Sequence, residues 1–232
     1  MAQKELQSPA FFAASRKEVL LFTLLVGAAV AAAYFYLDLP LARAGNELPF
    51  QVGVFFSYVT VLGESTWSLI AAALLGLAAR FLWRRDDWMR RSLFVFSAVV
   101  ASGLITDIIK WLAGRWRPKA YFTDHFYGFD LFGVGYEQTS FPSGHATTIW
   151  ACGVALAILF PRWRLLWYAL AILVSMSRVI IGAHYLSDIL AGAYVAVMTV
   201  LVLARLRYFR LGRQIRNMSW TVVLLGLTVR FL

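Results

Sequence analysis

The sequence predicts an all-α fold, a six-helix transmembrane bundle, and three observations support that prediction. First, 61% of the 232 residues are hydrophobic and only 15% are charged, which is far from the balance of a soluble domain. Second, apolar stretches of about the length that crosses a bilayer recur along the chain. Third, most Lys and Arg residues fall in alternate connections between those stretches. We therefore expect residues 1–232 to form a single integral-membrane domain.

Six apolar segments define the predicted spans. They cover about 19–37, 66–83, 92–113, 146–161, 164–180 and 186–204. Residues 52–65, between the first two spans, are apolar but are interrupted by Gly53 and Gly63, which predicts an interfacial helical piece rather than a span. The basic tail, residues 205–232, is predicted to lie at the membrane interface, because its apolar end is too short to cross comfortably.

The positions of the cations predict the orientation of the bundle. Fifteen of the 22 Lys and Arg residues lie before span one, around the second and fourth connections or within residues 205–216 after span six, and Arg230 is left over in the tail. Since these positions share one side, that side should be cytoplasmic. Topology and anionic headgroups account for the net charge of +10, and without a nucleic-acid-binding motif we predict no nucleic-acid partner. The cations of the opposite side are Arg43, Lys110, Arg115, Arg117, Lys119 and Arg178.

The first polar cluster is KWLAGRWRP, residues 110–118, at the end of the third span. Lys110 and Arg117 are seven residues apart, about two helical turns, so both cations can lie on one helical face. If the helix instead stops near Gly114, the loop can still fold Arg117 back toward Lys110. The same spacing would also be explained if both side chains simply extended to the membrane interface and contacted lipid headgroups.

The second polar cluster is SFPSGHATT, residues 140–148, at the start of the fourth span. Pro142 and Gly144 break regular structure, so Ser143 and the free N–H groups of the following helix can bind an anion. Ser143 alone is also well explained as a helix N-cap. His145, in the first helical turn, is well placed to donate a proton beside a bound anion.

The third polar cluster is SRVIIGAHYLSD, residues 177–188. His184 and Asp188 are four residues apart, so on a helix they share a face and the carboxylate can orient the imidazole. The other ring nitrogen is then free to attack, as in a catalytic triad. Arg178 ends the preceding span and can donate two hydrogen bonds to phosphate oxygens.

Together the three clusters predict phosphoryl transfer. His184 would attack phosphorus to give phosphohistidine, and His145 would protonate the leaving oxygen and then activate water. No group of carboxylates or thiolates converges here and Cys152 is the single cysteine, so we predict no metal and no cofactor. The groups predicted to bind the phosphate are Lys110, Arg117, Ser143, Gly144 and Arg178.

The motifs K-x6-R-P, P-S-G-H and S-R-x5-H-x3-D resemble those of the type-2 phosphatidic acid phosphatase superfamily. The matching residues are Lys110, Arg117 and Pro118; Pro142, Ser143, Gly144 and His145; and Ser177, Arg178, His184 and Asp188. This resemblance implies a six-helix membrane enzyme that hydrolyses lipid phosphates at the outer face of the membrane without a metal. It also implies the roles given above, with His184, His145 and Asp188 as the catalytic residues.

Three other functions share part of this pattern. Vanadium-dependent haloperoxidases resemble the same three motifs, because vanadate mimics phosphate, but they are soluble and six hydrophobic spans argue against that class. A lipid transporter or scramblase would spread its cations through the depth of the membrane, whereas these gather in one layer. A lipid phosphotransferase, which would pass the phosphoryl group from His184 to an acceptor lipid, stays open.

The loop from Arg115 to Ser140 is rich in aromatic residues and is predicted to cover the site from the extracytoplasmic side. Within it, Arg115, Lys119 and Tyr121 are candidate contacts to the lipid headgroup. An aromatic belt at the membrane interface would explain the same rings equally well. Similar members of the superfamily act on phosphatidylglycerol phosphate, phosphatidic acid, undecaprenyl pyrophosphate or lipid A. We expect a bacterial envelope lipid, with undecaprenyl pyrophosphate and phosphatidylglycerol phosphate as the leading candidates.

Overall fold

The computed structural model describes residues 16–207, and this part of the chain is helical without a β-strand. The all-α prediction is therefore confirmed for these residues. The predicted interfacial tail lies outside the described residues from position 208 onward. The helices are α1 Arg16–Ala32, α2 Asp38–Asn46, α3 Phe50–Val59, α4 Ser65–Leu77, α5 Asp86–Ala113, α6 Pro118–Asp124, α7 Gly144–Leu159, α8 Arg164–Ile180 and α9 Leu186–Arg207.

Short helical turns of other types join several of these helices. A π-helical turn, Ala33–Leu37, runs without a break from α1 into α2, so the first apolar helix continues to Asn46 instead of ending near residue 37. This extension brings Asp38 into the interior, where it is 1% exposed. The remaining turns are the π-helical Ala78–Leu82 and the 3-10 turns Thr60–Gly63, Tyr136–Gln138 and Pro161–Trp163.

Four helical stretches of the described chain are long and apolar enough to cross a membrane. They are Lys17–Asn46, Asp86–Ala113, Pro161–Ile180 and Leu186–Leu206. Phe50–Gly63 and Ser65–Phe81 pass the same test together as a pair bent by 41°, which gives up to five spans. The six-span count stays a prediction, because it requires the 16-residue α7 to cross as well. Residues 52–63 are helical and Glu64 is extended, while the interfacial depth of this segment stays a prediction.

Side-chain contacts identify which helix ends lie together. The guanidinium of Arg91, near the start of α5, lies 5.7 Å from the ring centroid of Phe160, just beyond the end of α7. At the other end of the same pair, the hydroxyls of Thr106 and Thr147 are 3.0 Å apart. Helices α5 and α7 are therefore antiparallel. The connections rich in arginine, 83–85 and 160–163, lie at one end, hereafter the basic end; connections 114–143 and 181–185 lie at the other.

Small side chains let the central helices approach one another closely. The core between α5, α7 and α9 is built largely from alanine and valine, which suits close packing between membrane helices. The tightest approach is at Gly192 of α9, where a Cβ atom would lie 2.6 Å from the carbonyl oxygen of Ser143. A larger residue would therefore force the two backbones apart, and the start of α9 lies directly against the start of α7.

Candidate active site

The three predicted clusters meet at the end of the bundle opposite the basic end. The structure brings together Lys110, Arg117, Ser143, Gly144, His145, Arg178, His184 and Asp188, hereafter the polar site. Lys110 belongs to the last turn of α5, His145 to the first turn of α7 and Arg178 to the last turn of α8. Helix ends therefore supply most of the site, which is why residues from distant parts of the sequence converge.

A left-handed turn brings Arg117 back toward Lys110. Helix α5 ends at Gly114, whose φ of 58° favours glycine, and a Cβ atom there would collide with the carbonyl oxygen of Asp130 at 1.6 Å. Arg117 then adopts an extended conformation as the N-cap of α6, ahead of Pro118. The two cations thus approach through a folded loop rather than along one helical face, which is the second of the two expected arrangements.

Ser143 caps α7 and connects that helix to α9. Its Oγ accepts a hydrogen bond from the N–H of Ala146 at 3.4 Å, so the N-cap interpretation is correct. Its own N–H donates to the carbonyl oxygen of Asp188 at 3.0 Å. Gly144 and His145 are the first two helical residues, and N–H groups at those positions have no acceptor within the helix. The start of α7 therefore offers backbone donors to an anion.

The imidazole of His184 is buried and held at both ring nitrogens. Nδ1 lies 3.5 Å from Asp188 Oδ2 and 3.4 Å from Ser140 Oγ, while Nε2 lies 3.4 Å from Arg117 Nη1. Arginine only donates hydrogen bonds, so Nε2 carries the lone pair and Nδ1 carries the proton. Burial lowers the pKa of His184 to about 3, although the Asp188 carboxylate opposes this shift. The ring is therefore neutral near pH 7, with a nucleophilic nitrogen beside a cation.

The guanidinium of Arg117 is fixed by backbone carbonyls and one aromatic ring. Its Nε donates to the carbonyl oxygen of Tyr136 at 2.9 Å, and its Nη1 donates to the carbonyl oxygen of Ala183 at 3.1 Å. The Cζ atom of Arg117 lies 4.1 Å from the centroid of the Tyr136 ring. Burial lowers the pKa of Arg117. Lys110 is oriented in a similar way, because its Nζ donates to the carbonyl oxygen of Thr139 at 2.7 Å. Both cations are thus held by neutral groups, so their positive charge is not cancelled locally.

Arg178 brings the third positive charge and an unused donor. Its Nη1 donates to Thr60 Oγ1 at 3.0 Å, and its buried Nε has no hydrogen-bond partner within the described chain. Thr60 belongs to the segment predicted to be interfacial, so this segment contributes to the polar site, and sequence reasoning missed it. The available signal was a few hydroxyls, those of Ser57, Tyr58 and Thr60, within an otherwise apolar run.

The three candidate headgroup contacts lie in different surroundings. Arg115 does not fit that role, because it is completely buried and its guanidinium binds the carboxylates of Asp38 and Asp188. Lys119 is exposed, with Nζ 3.5 Å from Glu137, and Tyr121 accepts a hydrogen bond from Arg43. Asp38 was not expected at the site, although a carboxylate in an apolar segment is itself a signal of function.

The acidic groups of the polar site are already engaged by protein donors. Asp188 accepts hydrogen bonds from Arg115 and, at 2.6 Å, from Ser140 Oγ. Within residues 16–207, no group of three or more His, Cys, Asp or Glu side chains is arranged to hold a metal ion. Cys152 packs against the core between α5, α7 and α9.

The fold and the site are those of a helical membrane protein with histidines and cations gathered at one end of the bundle. A family model described as PAP2 superfamily matches residues 91–211. Lipid A 1-phosphatase of Rhizobium etli is 35% identical over 196 residues, which cover 76% of this chain and 82% of that protein. The chain therefore belongs to the PAP2 superfamily, and it is an enzyme of the lipid phosphatase class.

Two solved structures share the fold. The PAP2-type phosphatidylglycerolphosphate phosphatase of Bacillus subtilis has a TM-score of 0.61 and 21% identity, over 86% of this chain and 98% of that one. Aquifex aeolicus LpxE has a TM-score of 0.57 and 20% identity, over 74% of this chain and 96% of that one. Both similarities are in the arrangement of the helices, and they are consistent with an integral membrane protein.

Proposed function

We propose that the protein hydrolyses a lipid phosphate in two steps through a phosphohistidine on His184. In the first step the Nε2 lone pair attacks phosphorus, the bond from phosphorus to the lipid oxygen breaks, and the imidazolium of His145 gives that oxygen a proton. Burial and the cations of the polar site lower the pKa of His145 to about 4, and the negative charge of a bound lipid phosphate would raise it again so that the imidazolium forms. In the second step His145 takes a proton from water, the resulting hydroxide attacks phosphorus, and the P–N bond breaks to release phosphate. Both histidines then return to their starting protonation states, so the cycle closes without another reactant.

The observation that carries this proposal is the arrangement around His184. Asp188 and Ser140 lie on the Nδ1 side of the ring, and Arg117 lies on the Nε2 side. A bound phosphate oxygen would accept the hydrogen bond that Arg117 Nη1 otherwise directs at His184 Nε2, and the Nε2 lone pair would then be free to attack. Such an imidazole is both oriented and neutral, as an attacking nitrogen must be.

The cations of the polar site suit the charge that develops on the transferred group. Lys110, Arg117 and Arg178 would share the phosphoryl oxygens, together with the N–H groups that begin α7. The buried Nε of Arg178 has no hydrogen-bond partner within the described chain, so this donor is not committed to another protein group. Fixed cations of this kind supply the positive charge for which other phosphatases use metal ions, so we propose that activity does not depend on a metal.

The leading substrate we propose is the phosphate of a lipid A-type glycolipid, ahead of undecaprenyl pyrophosphate and phosphatidylglycerol phosphate. The 35% identity to a lipid A 1-phosphatase supports this order. A cleft of about 580 Å³ runs between the α2–α3 corner and α6 and is lined by Lys119, Phe122 and Asn46. It has the volume and the cation to receive a headgroup larger than the phosphate itself. Lys119, on α6, is the headgroup contact that we propose, whereas Tyr121 does not line this cleft.

The orientation that we propose places the polar site outside the cytoplasm. The arginine-rich connections lie at the opposite end of the bundle, and basic connections are usually cytoplasmic. In the inner membrane of a bacterium, the polar site would then face the periplasm or the exterior.

The experiment that tests this function is phosphate release by the purified protein in detergent with a chelator present. Lipid A, undecaprenyl pyrophosphate, phosphatidylglycerol phosphate and phosphatidic acid are compared, each with the His184→Ala variant as control. We expect release that survives the chelator, is highest with lipid A and is lost in the variant. Release that requires a divalent metal, or that persists in His184→Ala, would contradict the mechanism. Consumption of lipid phosphate without free phosphate, but with phosphorylation of a second lipid, would indicate a phosphotransferase.

A further inference from the structure

A buried ion cluster adjoins the polar site and takes no part in the chemistry above except through Asp188. Its members are Asp38, Arg115, Ser187 and Asp188, and each is at most 1% exposed. Arg115 Nη2 donates to Asp38 Oδ2 at 2.7 Å, whereas Nη1 donates to Ser187 Oγ at 2.6 Å and to Asp188 Oδ1. One guanidinium therefore connects the first apolar helix to the carboxylate that faces His184.

Four aromatic rings surround the guanidinium of Arg115. Their centroids lie 4.5 to 5.8 Å from its Cζ atom, and the rings belong to Tyr34, Tyr127, Phe129 and Tyr185. Contact with ring faces favours a cation, but a guanidinium without water also requires charged partners. The two carboxylates meet that requirement. The group is therefore fixed in place rather than available to a ligand.

Asp38 restrains both Arg115 and the start of α9. Its Oδ2 accepts hydrogen bonds from Arg115 and, at 2.5 Å, from the hydroxyl of Ser187. Its Oδ1 accepts from the N–H of Ser187 at 2.9 Å. Ser187 immediately precedes Asp188, so Asp38 controls the backbone that carries Asp188 as well as the side chain that binds it.

Asp188 divides its two oxygens between the cluster and the polar site. Oδ1 accepts from Arg115, while Oδ2 accepts from Ser140 Oγ at 2.6 Å and from the Tyr185 N–H at 2.9 Å. The same Oδ2 lies 3.5 Å from His184 Nδ1. A carboxylate anchored at Oδ1 cannot rotate without losing its guanidinium, so Oδ2 stays directed at the imidazole.

We propose that Arg115, itself held by Asp38, is a positioning residue that fixes Asp188 so that Asp188 orients His184. The proposal rests on the proposed function, in which His184 attacks phosphorus. Arg115 has no access to the substrate, so its effect passes entirely through Asp188. It has a second effect through charge, because it balances a carboxylate that would otherwise favour a proton on His184 Nε2.

The charged groups around His184 make this second effect measurable. Burial lowers the pKa of His184 to about 3, Asp188 opposes this shift, and Lys110 and Arg117 add to it. Burial by itself would lower the pKa of Arg115, yet the neighbouring carboxylates raise it above its ordinary value, so the group stays cationic. Loss of that cation should make the His184 and Asp188 pair easier to protonate. The acid limb of the kcat profile should then move to higher pH.

Two substitutions of Arg115 separate geometry from charge. Arg115→Lys keeps the cation but cannot bridge two carboxylates, so kcat per active site should fall about 10- to 100-fold while the acid limb stays in place. Arg115→Met also removes the charge, so the acid limb should shift upward as well. KM should stay within about twofold in both, because neither side chain touches the substrate. Asp38→Asn should lower kcat about 10-fold, since Arg115 then loses one of its two anchors.

The test needs a count of intact sites and a matched control. Binding of vanadate, which mimics phosphate, counts the intact sites, and kcat is expressed per vanadate-binding site. Arg85→Lys is the control, because Arg85 pairs with Asp87 in an exposed ion pair at the basic end, 3.1 Å apart. It should keep the wild-type kcat and pH profile.

Two results would contradict the proposal. The proposal is wrong if Arg115→Lys and Asp38→Asn keep both the wild-type kcat per site and the wild-type number of vanadate-binding sites. It is equally wrong if these variants lose vanadate-binding sites but keep the wild-type kcat per remaining site, because such a loss indicates a purely structural role. If Arg115→Met does not fold, Arg115→Lys and Asp38→Asn still give the answer. Substantial turnover by His184→Ala would instead refute the proposed function, and this is a separate result.

Discussion

Gly192→Ala should impair catalysis by moving α9 away from α7. The new Cβ would lie 2.6 Å from the Ser143 carbonyl oxygen, whereas ordinary contacts begin at 3.4 Å. Because the opposing atom belongs to the backbone, the two helices must separate by several tenths of an ångström. That movement would strain the 3.0 Å hydrogen bond from Ser143 N–H to Asp188 and displace His184 from the cations. A misplacement of 1 Å can cost about 100-fold, so we expect roughly a 10-fold loss of kcat.

The stability of the same variant follows from two opposing effects. Overpacking costs about 1 to 3 kcal/mol, and the higher helix propensity of alanine recovers roughly 0.5 to 1 kcal/mol, so the net loss should be about 1 kcal/mol. Gly103→Ala is the matched control, because it makes the same exchange within α5 where a Cβ would meet nothing within 4 Å.

The assay combines initial rates of phosphate release in detergent with thermal unfolding of each variant. Gly103→Ala should keep the wild-type kcat and unfold at the wild-type temperature or above. A Gly192→Ala variant with wild-type kcat and an unchanged unfolding temperature would refute the reasoning, because the close approach would then have no influence on the site.

Three further predictions concern the cations, the buried histidine and the chelator. Arg178→Ala should lower kcat/KM by about 10²- to 10³-fold, whereas Arg84→Ala at the basic end should leave kcat/KM nearly unchanged. An equal loss of kcat/KM in the two variants would contradict the placement of the polar site at the end opposite the basic end. The folded pKa of His184, about 3, lies below the ordinary 6.5, so the unfolded chain binds more protons between those values and the wild-type unfolding temperature should fall as pH decreases through that window. His184→Ala should flatten this dependence in thermal unfolding scans, and an unchanged slope would argue against a buried neutral imidazole. Prolonged dialysis against a chelator should leave kcat unchanged, and recovery of a lost rate by added metal would contradict the proposed chemistry.

Much of the site could be predicted because its residues lie in short motifs. The spacing of His184 and Asp188, the breaks at Pro142 and Gly144 and the cations at helix ends are all local features, and local features can be read from sequence. The PAP2 resemblance is confirmed for the same reason. The all-α architecture followed from composition and apolar run length.

The parts that were missed depend on contacts between distant residues. Asp38 lies 149 positions from Ser187, and nothing in either neighbourhood predicts their hydrogen bonds. Arg115 does not fit the headgroup contact predicted for it, because its carboxylate partners come from α2 and α9. Thr60 accepts a hydrogen bond from Arg178, which lies 118 positions away in the sequence. This contact depends on the bend between α3 and α4, and the spacing of apolar residues does not predict the angle of a bend. Apolar periodicity also could not show that the first helix continues to Asn46.

The central claim is that the phosphoryl group passes through His184. The most direct test is to quench the enzyme in alkali during turnover of a ³²P-labelled lipid phosphate and to map the label by mass spectrometry, since phosphohistidine survives alkali. We predict one labelled peptide, with the phosphoryl group on His184, and no label in His184→Ala. Full turnover without any labelled protein, or label on another residue, would contradict the account.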